Sequence, residues 1–250
     1  MDMTNTIIIG ISLLPSILLG LYIWVKDPQK EPAVWLIGGF LLGGALCVPV
    51  ALLEAVIETF LFGPCFTPSN MIEMSANAFI VAAIPEEGFK LLALWLLLRW
   101  NPHFDEHFDG IVYAVSIGLG FAAVENVLYL DGESNWITIA IVRSLLAVPG
   151  HYAFAVLMGF FYSLYCFVDH SKKNAVCILL VPVLAHGIYD SLAMTGQVNP
   201  YVGCVGFFVL IIFCIRIHRM AKNRILLLIK KDKEKIENDE KNDSQILSVS

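Results

Sequence analysis

Charge is what this sequence has least of. Only 15% of its residues are charged against 58% hydrophobic, and the mean hydropathy is +0.73. Those values exclude a water-soluble globular domain. The formal net charge of -6 leaves no basic surface for nucleic acid. Cysteine is present but never closely paired: Cys47, Cys65, Cys166, Cys177, Cys204 and Cys214 are scattered, mostly through apolar runs. This argues against a disulfide framework or a CxxC metal or redox site. Asp2 is the only charge before Lys26, and no small-residue cleavage pattern follows, so a secretory leader is not expected. There is no HExxH, no plausible G-x-S-x-G nucleophile, and no internal repeat of the transporter kind.

Long apolar runs are abundant. They cover roughly 7–25, 34–53, 74–98, 110–130, 136–168, 175–194 and 202–217. The expected fold is all-α, a polytopic transmembrane bundle of about seven spans. Pro149-Gly150 interrupts the fifth run and predicts a kink or a broken helix there. Lys26, Lys30, Arg99, Lys172, Lys173 and the basic residues from Arg216 to Arg224 fall on alternate connections. That alternation places the N-terminus outside and the C-terminus in the cytoplasm of a multi-pass membrane protein. Residues 1–218 are read as the membrane domain. Residues 219–250 are read as a basic juxtamembrane helix that gives way to disorder.

Against this background Pro85-Glu86-Glu87-Gly88-Phe89-Lys90 is conspicuous, at the middle of the third run. Each charge there costs roughly 2.5–3.5 kcal/mol on insertion scales. Glu125 and Asn126 lie in the fourth span with Asp109 at its start, Arg143 and His151 in the fifth, and His186 and Asp190 in the sixth. The first, second and seventh spans contribute essentially no ionisable group to the interior. Glu86 with Lys90, and His186 with Asp190, are four apart and share a helix face. Lys90 offsets the desolvation of one carboxylate and tunes the pair, and Asp190 orients His186. Gly88 and Gly187 would let a backbone or a substrate approach. The structural alternatives are a tether for a lone Glu–Lys pair, stitching between spans for Glu125-Asn126, and a counter-charge for Arg143. Such groups on four successive spans point instead to one site at mid-membrane, opening outward.

Two chemistries suit these residues. In one, Glu86 or Glu87 activates a water while His151, His186 and Asn126 stabilise an oxyanion. In the other, His151, His186 and a carboxylate, Glu87 being the candidate, bind Zn2+, and the remaining Glu is the base. Both hydrolyse an amide in the membrane. Two rivals use the same residues: a proton-coupled transporter, and a non-catalytic membrane scaffold.

The ordered motifs resemble those of the PrsW-type intramembrane proteases. Glu86-Glu87-Gly88-Phe89-Lys90 is similar to their EExxK motif, and Phe108 to Tyr113 continuing to Glu125-Asn126 to their second. His151 in Pro149 to Phe154, and His186 to Asp190, look like the third and fourth. The loop from Lys26 to Pro32 is similar to the family's acidic, Pro-rich first loop. The likeness covers roughly residues 20–195 and extends more distantly to type II CAAX prenyl endopeptidases. The resemblance implies a multi-spanning protease of the bacterial cell membrane, of glutamic or metallo type. Glu86, Glu87, His151 and His186 are then catalytic. The implied substrate is a single-span anti-sigma factor, cut on the extracytoplasmic side as the first step of a stress-signalling cascade.

Overall fold

The computed structural model describes residues 3–249. It is all-α, and among the described residues the chain forms seven long helical rods. These are α1 (Met3–Lys26); α2 (Ala33–Phe62); α3 (Met71–Ala76) joined to α4 (Ile84–Arg99); α5 (Asp109–Leu130); α6 (Trp136–Val142) joined to α7 (Val148–Phe167); α8 (Lys172–Ala193); and, after the single turn α9 (Thr195–Val198), α10 (Pro200–Val249). Six of the rods are long and apolar enough to cross a membrane. The one that falls short is α3–α4, whose interior carries Glu86, Glu87 and Lys90.

Local signals set the ends. Gly63 follows α2 at φ 91° and returns its N–H to the Thr59 carbonyl, as a left-handed C-terminal glycine does. Asn70 opens α3 by accepting from the backbone of Ile72 and Glu73, and Glu73 reaches back to Ser69. Ser171 caps α8 through the Asn174 N–H.

The centre of the bundle is α5, buried along most of its length against α1, α2 and α7. Small residues allow this. A Cβ on Gly43 would collide with the Ile117 carbonyl, and one on Gly120 with the Phe40 carbonyl, so α2 and α5 meet backbone to backbone. Outward faces of α1, α2 and α10 are apolar and exposed, as at Leu18, Val34, Leu41, Phe60 and Phe208, which suits lipid surroundings. All six cysteines are free.

The fifth run does not break at Pro149-Gly150. It stays helical through a π-helical stretch, Arg143–Ala147, that joins α6 to α7. Widening to i→i+5 bonding absorbs the amide that Pro149 lacks. A second π stretch, Asn77–Ala83, precedes Pro85 in the same way. At the C-terminus α10 runs as one helix from Pro200 past Arg219, where the sequence reading places a basic juxtamembrane helix. Interleaved charges such as Lys230 with Glu234, 3.4 Å apart, support helix there.

Candidate active site

Three rods meet at Lys90. Its ammonium, 4% exposed, donates to Glu86 Oε2 at 2.8 Å and Glu87 Oε1 at 2.9 Å, and lies 3.1 Å from His151 Nδ1. It also sits 4.2 Å from the centre of the Phe121 ring, which adds cation–π attraction in a dry setting. The i,i+4 pairing expected for Glu86 and Lys90 is present, and Glu87 joins it at i,i+3.

Each histidine is held from its far side by a carboxylate. His151 Nε2 is 2.9 Å from Glu125 Oε2, which also accepts from Arg143 Nη2 at 2.6 Å. Arg143 Nε donates to Asn126 Oδ1 at 2.7 Å, so Arg143 fixes both residues of the Glu125-Asn126 pair. His186 Nε2 is 3.1 Å from Asp190 Oδ2, and its Nδ1 is 3.0 Å from Glu87 Oε1. The two imidazoles lie edge to face with centres 5.3 Å apart, and Phe154 stacks on His186. One donor atom from each of Glu86, Glu87, His151 and His186 lies within 4.8 Å of the others, all buried. Glu86 and Glu87, Glu125, His151 and His186, from four successive spans, therefore meet in one place.

They line a cavity of about 310 Å³ whose walls include Glu86, Phe121, Glu125, Arg143, His151, His186 and Asp190. Asp190, its side chain 24% exposed, lines it near the end of α8. Two corrections to the sequence reading follow. Glu54, on α2, also lines the cavity, and its Oε1 is buried without a hydrogen-bond partner. The second span thus does contribute an ionisable group, which its place at the shoulder of the apolar run concealed. Asp109 is not part of the cavity: it sits at the first turn of α5, about 24 Å along the helix from Glu125 at 1.5 Å per residue. Of the two glycines, Gly187 packs tightly under Phe79, whereas Gly88 faces open space.

The donor set suits a divalent metal. Five carboxylates (Glu54, Glu86, Glu87, Glu125 and Asp190) face two fixed cations, Lys90 and Arg143. Glu87 Oε2 is buried and unpartnered. His186 turns Nδ1 to Glu87 and His151 turns Nδ1 to the Lys90 ammonium, while the Nε2 of each faces a carboxylate of the kind that orients a metal-binding histidine. The ammonium of Lys90 marks where the potential favours positive charge.

Residues 31–216 match the PrsW family of intramembrane metalloproteases. This chain is a member of that family. Its similarity to curated PrsW proteases extends over most of each partner. It is 36% identical to Protease PrsW of Clostridioides difficile strain 630, over 71% of this chain and 76% of that one. Against Protease PrsW of Oceanobacillus iheyensis the identity is 32%, over 88% of this chain and 98% of the relative. Against Protease PrsW of Bacillus subtilis strain 168 it is 36%, over 73% and 81%. No solved structure matches the fold. PrsW membership accounts for the helical, multi-pass architecture and makes the protein a bacterial membrane peptidase with a protein substrate.

Proposed function

We propose that the cavity cuts a peptide bond of a single-span, membrane-anchored protein on or near the extracytoplasmic side, with Glu86 as the base that takes a proton from the attacking water. The observation that carries this reading is the convergence of Glu86, Glu87, His151 and His186 within 4.8 Å in a buried cavity. Glu86 has one oxygen on Lys90 and the other 4.0 Å from His186 Nε2, so it is oriented but not fully engaged. Glu87 is held more closely, by Lys90 and His186, and acts as the partner that fixes both. His151, positioned by Glu125 and Arg143, supplies a donor for the oxyanion, while Asn126, which accepts from Arg143 and does not line the cavity, keeps that guanidinium in place. Asp190 holds the ring of His186. The substrate we favour is an anti-sigma factor, released by a first cut outside the cytoplasmic membrane, because that is the class the sequence motifs imply.

Zinc fits the site. His151, His186 and Glu87 would hold it, and it would polarise the scissile carbonyl and its bound water. The membrane domain is taken as residues 1–218, with the basic helix beyond 219 on the cytoplasmic side.

Glu86→Gln keeps size and hydrogen bonding while removing the base. The purified variant should give no detectable cleavage of a tethered substrate, with unchanged yield and thermal unfolding. Wild-type turnover by Glu86→Gln would remove Glu86 from the mechanism. Metal content measured on the same preparation, with a cleavage assay in chelator, separates metal-bound from metal-free water activation.

A further inference from the structure

At the end of the bundle opposite the cavity lies a second carboxylate group that the proteolytic reading does not use. Asp27 is in the α1–α2 loop, Glu106 in the loop before α5, and Asp109 in the first turn of α5. They are 2%, 5% and 0% exposed, and one carboxylate oxygen from each lies within 4.8 Å of the others. Glu31, also buried, accepts from the Tyr113 hydroxyl alongside.

The loops are built to present these groups. Asp27 accepts the backbone N–H of Gln29 at 3.1 Å and of Glu31 at 3.2 Å, which curls the first loop around its carboxylate. Asp109 Oδ2 accepts the N–H groups of Asp105 at 3.0 Å and Glu106 at 2.6 Å. Gln29 reaches across and donates to Glu106 Oε1.

What is missing is a directly paired cation. Among the described residues no Lys or Arg ion pair involves Asp27, Glu31, Glu106 or Asp109. Lys26, next to Asp27, places its ammonium over the Tyr22 ring, and Lys30 turns its own to the carbonyls of Trp24, Val25 and Asp27 at the end of α1. Two oxygens, Glu106 Oε2 and Asp109 Oδ1, are buried with no hydrogen-bond partner. A buried, unpartnered carboxylate oxygen without a counter-charge is expensive. Burial pushes the Asp27 carboxyl up to about 6 and that of Glu106 up to about 7, and raises Glu31.

We propose that Asp27, Glu106 and Asp109 form a cation site, separate from the Glu/His cavity, that takes a hard divalent ion of the Mg2+ or Ca2+ class and fastens the first loop to the core of the bundle. The donors are all oxygen, which selects hard ions over zinc or copper. Nearby His107 does not compete for the ion, because its Nδ1 is 2.6 Å from Asp232 of α10. Shared protons between the carboxyls are the rival occupant.

The test uses the full-length protein in detergent micelles, stripped with EDTA. Trp24 donates its indole N–H to the Glu31 carbonyl at 3.1 Å, so a Tb3+ ion among these carboxylates lies close to a sensitiser. Saturable Tb3+ luminescence, displaced by Mg2+ or Ca2+, is expected. Asp27→Asn with Glu106→Gln should weaken Tb3+ binding by about tenfold or more, and Glu86→Gln should leave it unchanged. No saturable signal, an equal signal in the double variant, or loss of signal in Glu86→Gln would each overturn the proposal. Should the double variant not fold, wild-type thermal unfolding decides. Its midpoint should rise on adding Mg2+ or Ca2+ to stripped protein, and a midpoint that only acidification moves would assign the site to protons.

Discussion

Lys90 is the residue on which the site turns. Its ammonium is the shared counter-ion of two glutamates and the donor that faces His151 Nδ1, so its removal leaves two buried carboxylates against each other. Breaking a buried charge network by deleting one partner costs about 3–5 kcal/mol. Lys90→Met should lower stability to unfolding in mild detergent by that amount, and adding Glu87→Gln should restore part of it. A Lys90→Met variant as stable as wild type would show that the three charges are not coupled in this way. At this scale much is legible in the sequence. Helical spacing by itself pairs Glu86 with Lys90 and His186 with Asp190. Spacing says nothing about facing helices, so it does not show that Glu125 serves His151 and Arg143 together. Glu54 escapes notice for another reason: α2 has 30 residues, and a helix of that length carries its charged shoulder back to the cavity wall.

At the scale of the elements, both π-helical stretches sit immediately ahead of a proline that precedes a site residue by one or two positions. Asn77–Ala83 precedes Pro85-Glu86, and Arg143–Ala147 precedes Pro149-Gly150-His151. Proline alone does not dictate the widening, because Pro15, Pro49 and Pro182 lie inside ordinary α-helix. What distinguishes Pro85 and Pro149 is their place beside the cavity, where an extra residue in the turn re-aims the helix face that follows. Arg143 opens its π stretch and His151 follows it, and both meet on Glu125. Pro149→Ala supplies an amide for the Leu145 carbonyl and lets the stretch tighten to α-helical register, which rotates Arg143 away from His151. The cleavage rate should fall by about 10²-fold, the usual consequence of an ångström of misplacement, while the unfolding temperature does not fall. Full activity in Pro149→Ala would mean that the π geometry is incidental. A Pro-Gly pair in an apolar run is visible in the sequence as a disturbance. Whether the helix breaks, kinks or widens there depends on the packing of α5 and α8 around it, which no local pattern encodes.

For the whole molecule, the two ends of the bundle differ in charge, and that difference predicts which way it faces. One end holds the α1–α2 loop, the loop before α5 and the helical tail, tied together by Asp232 accepting from the backbone of His107 and Phe108, and by Lys235 donating to the Asp105 carbonyl. These long-range contacts are invisible in the sequence, because Asp232 and His107 are far apart in the chain and neither belongs to a recognisable motif. The basic residues Lys26, Lys30, Arg99, Lys172 and Lys173 belong to that end or border its loops, and the positive-inside rule predicts a cytoplasmic position for it. The other end carries the loop after α2, where Cys65 is exposed, and the end of α8, where Asp190 opens the cavity. If the basic end is cytoplasmic, a membrane-impermeant maleimide should label Cys65 in intact cells. A cysteine placed at exposed His170, in the α7–α8 loop of the basic end, should react only after permeabilisation. The two measurements belong on single-cysteine versions of the full chain, with cleavage activity as the check that each is folded. The reverse pattern would turn the cavity mouth toward the cytoplasm, and a substrate cut outside the membrane would then have to be given up even though the chemistry of the Glu/His cluster stood unchanged.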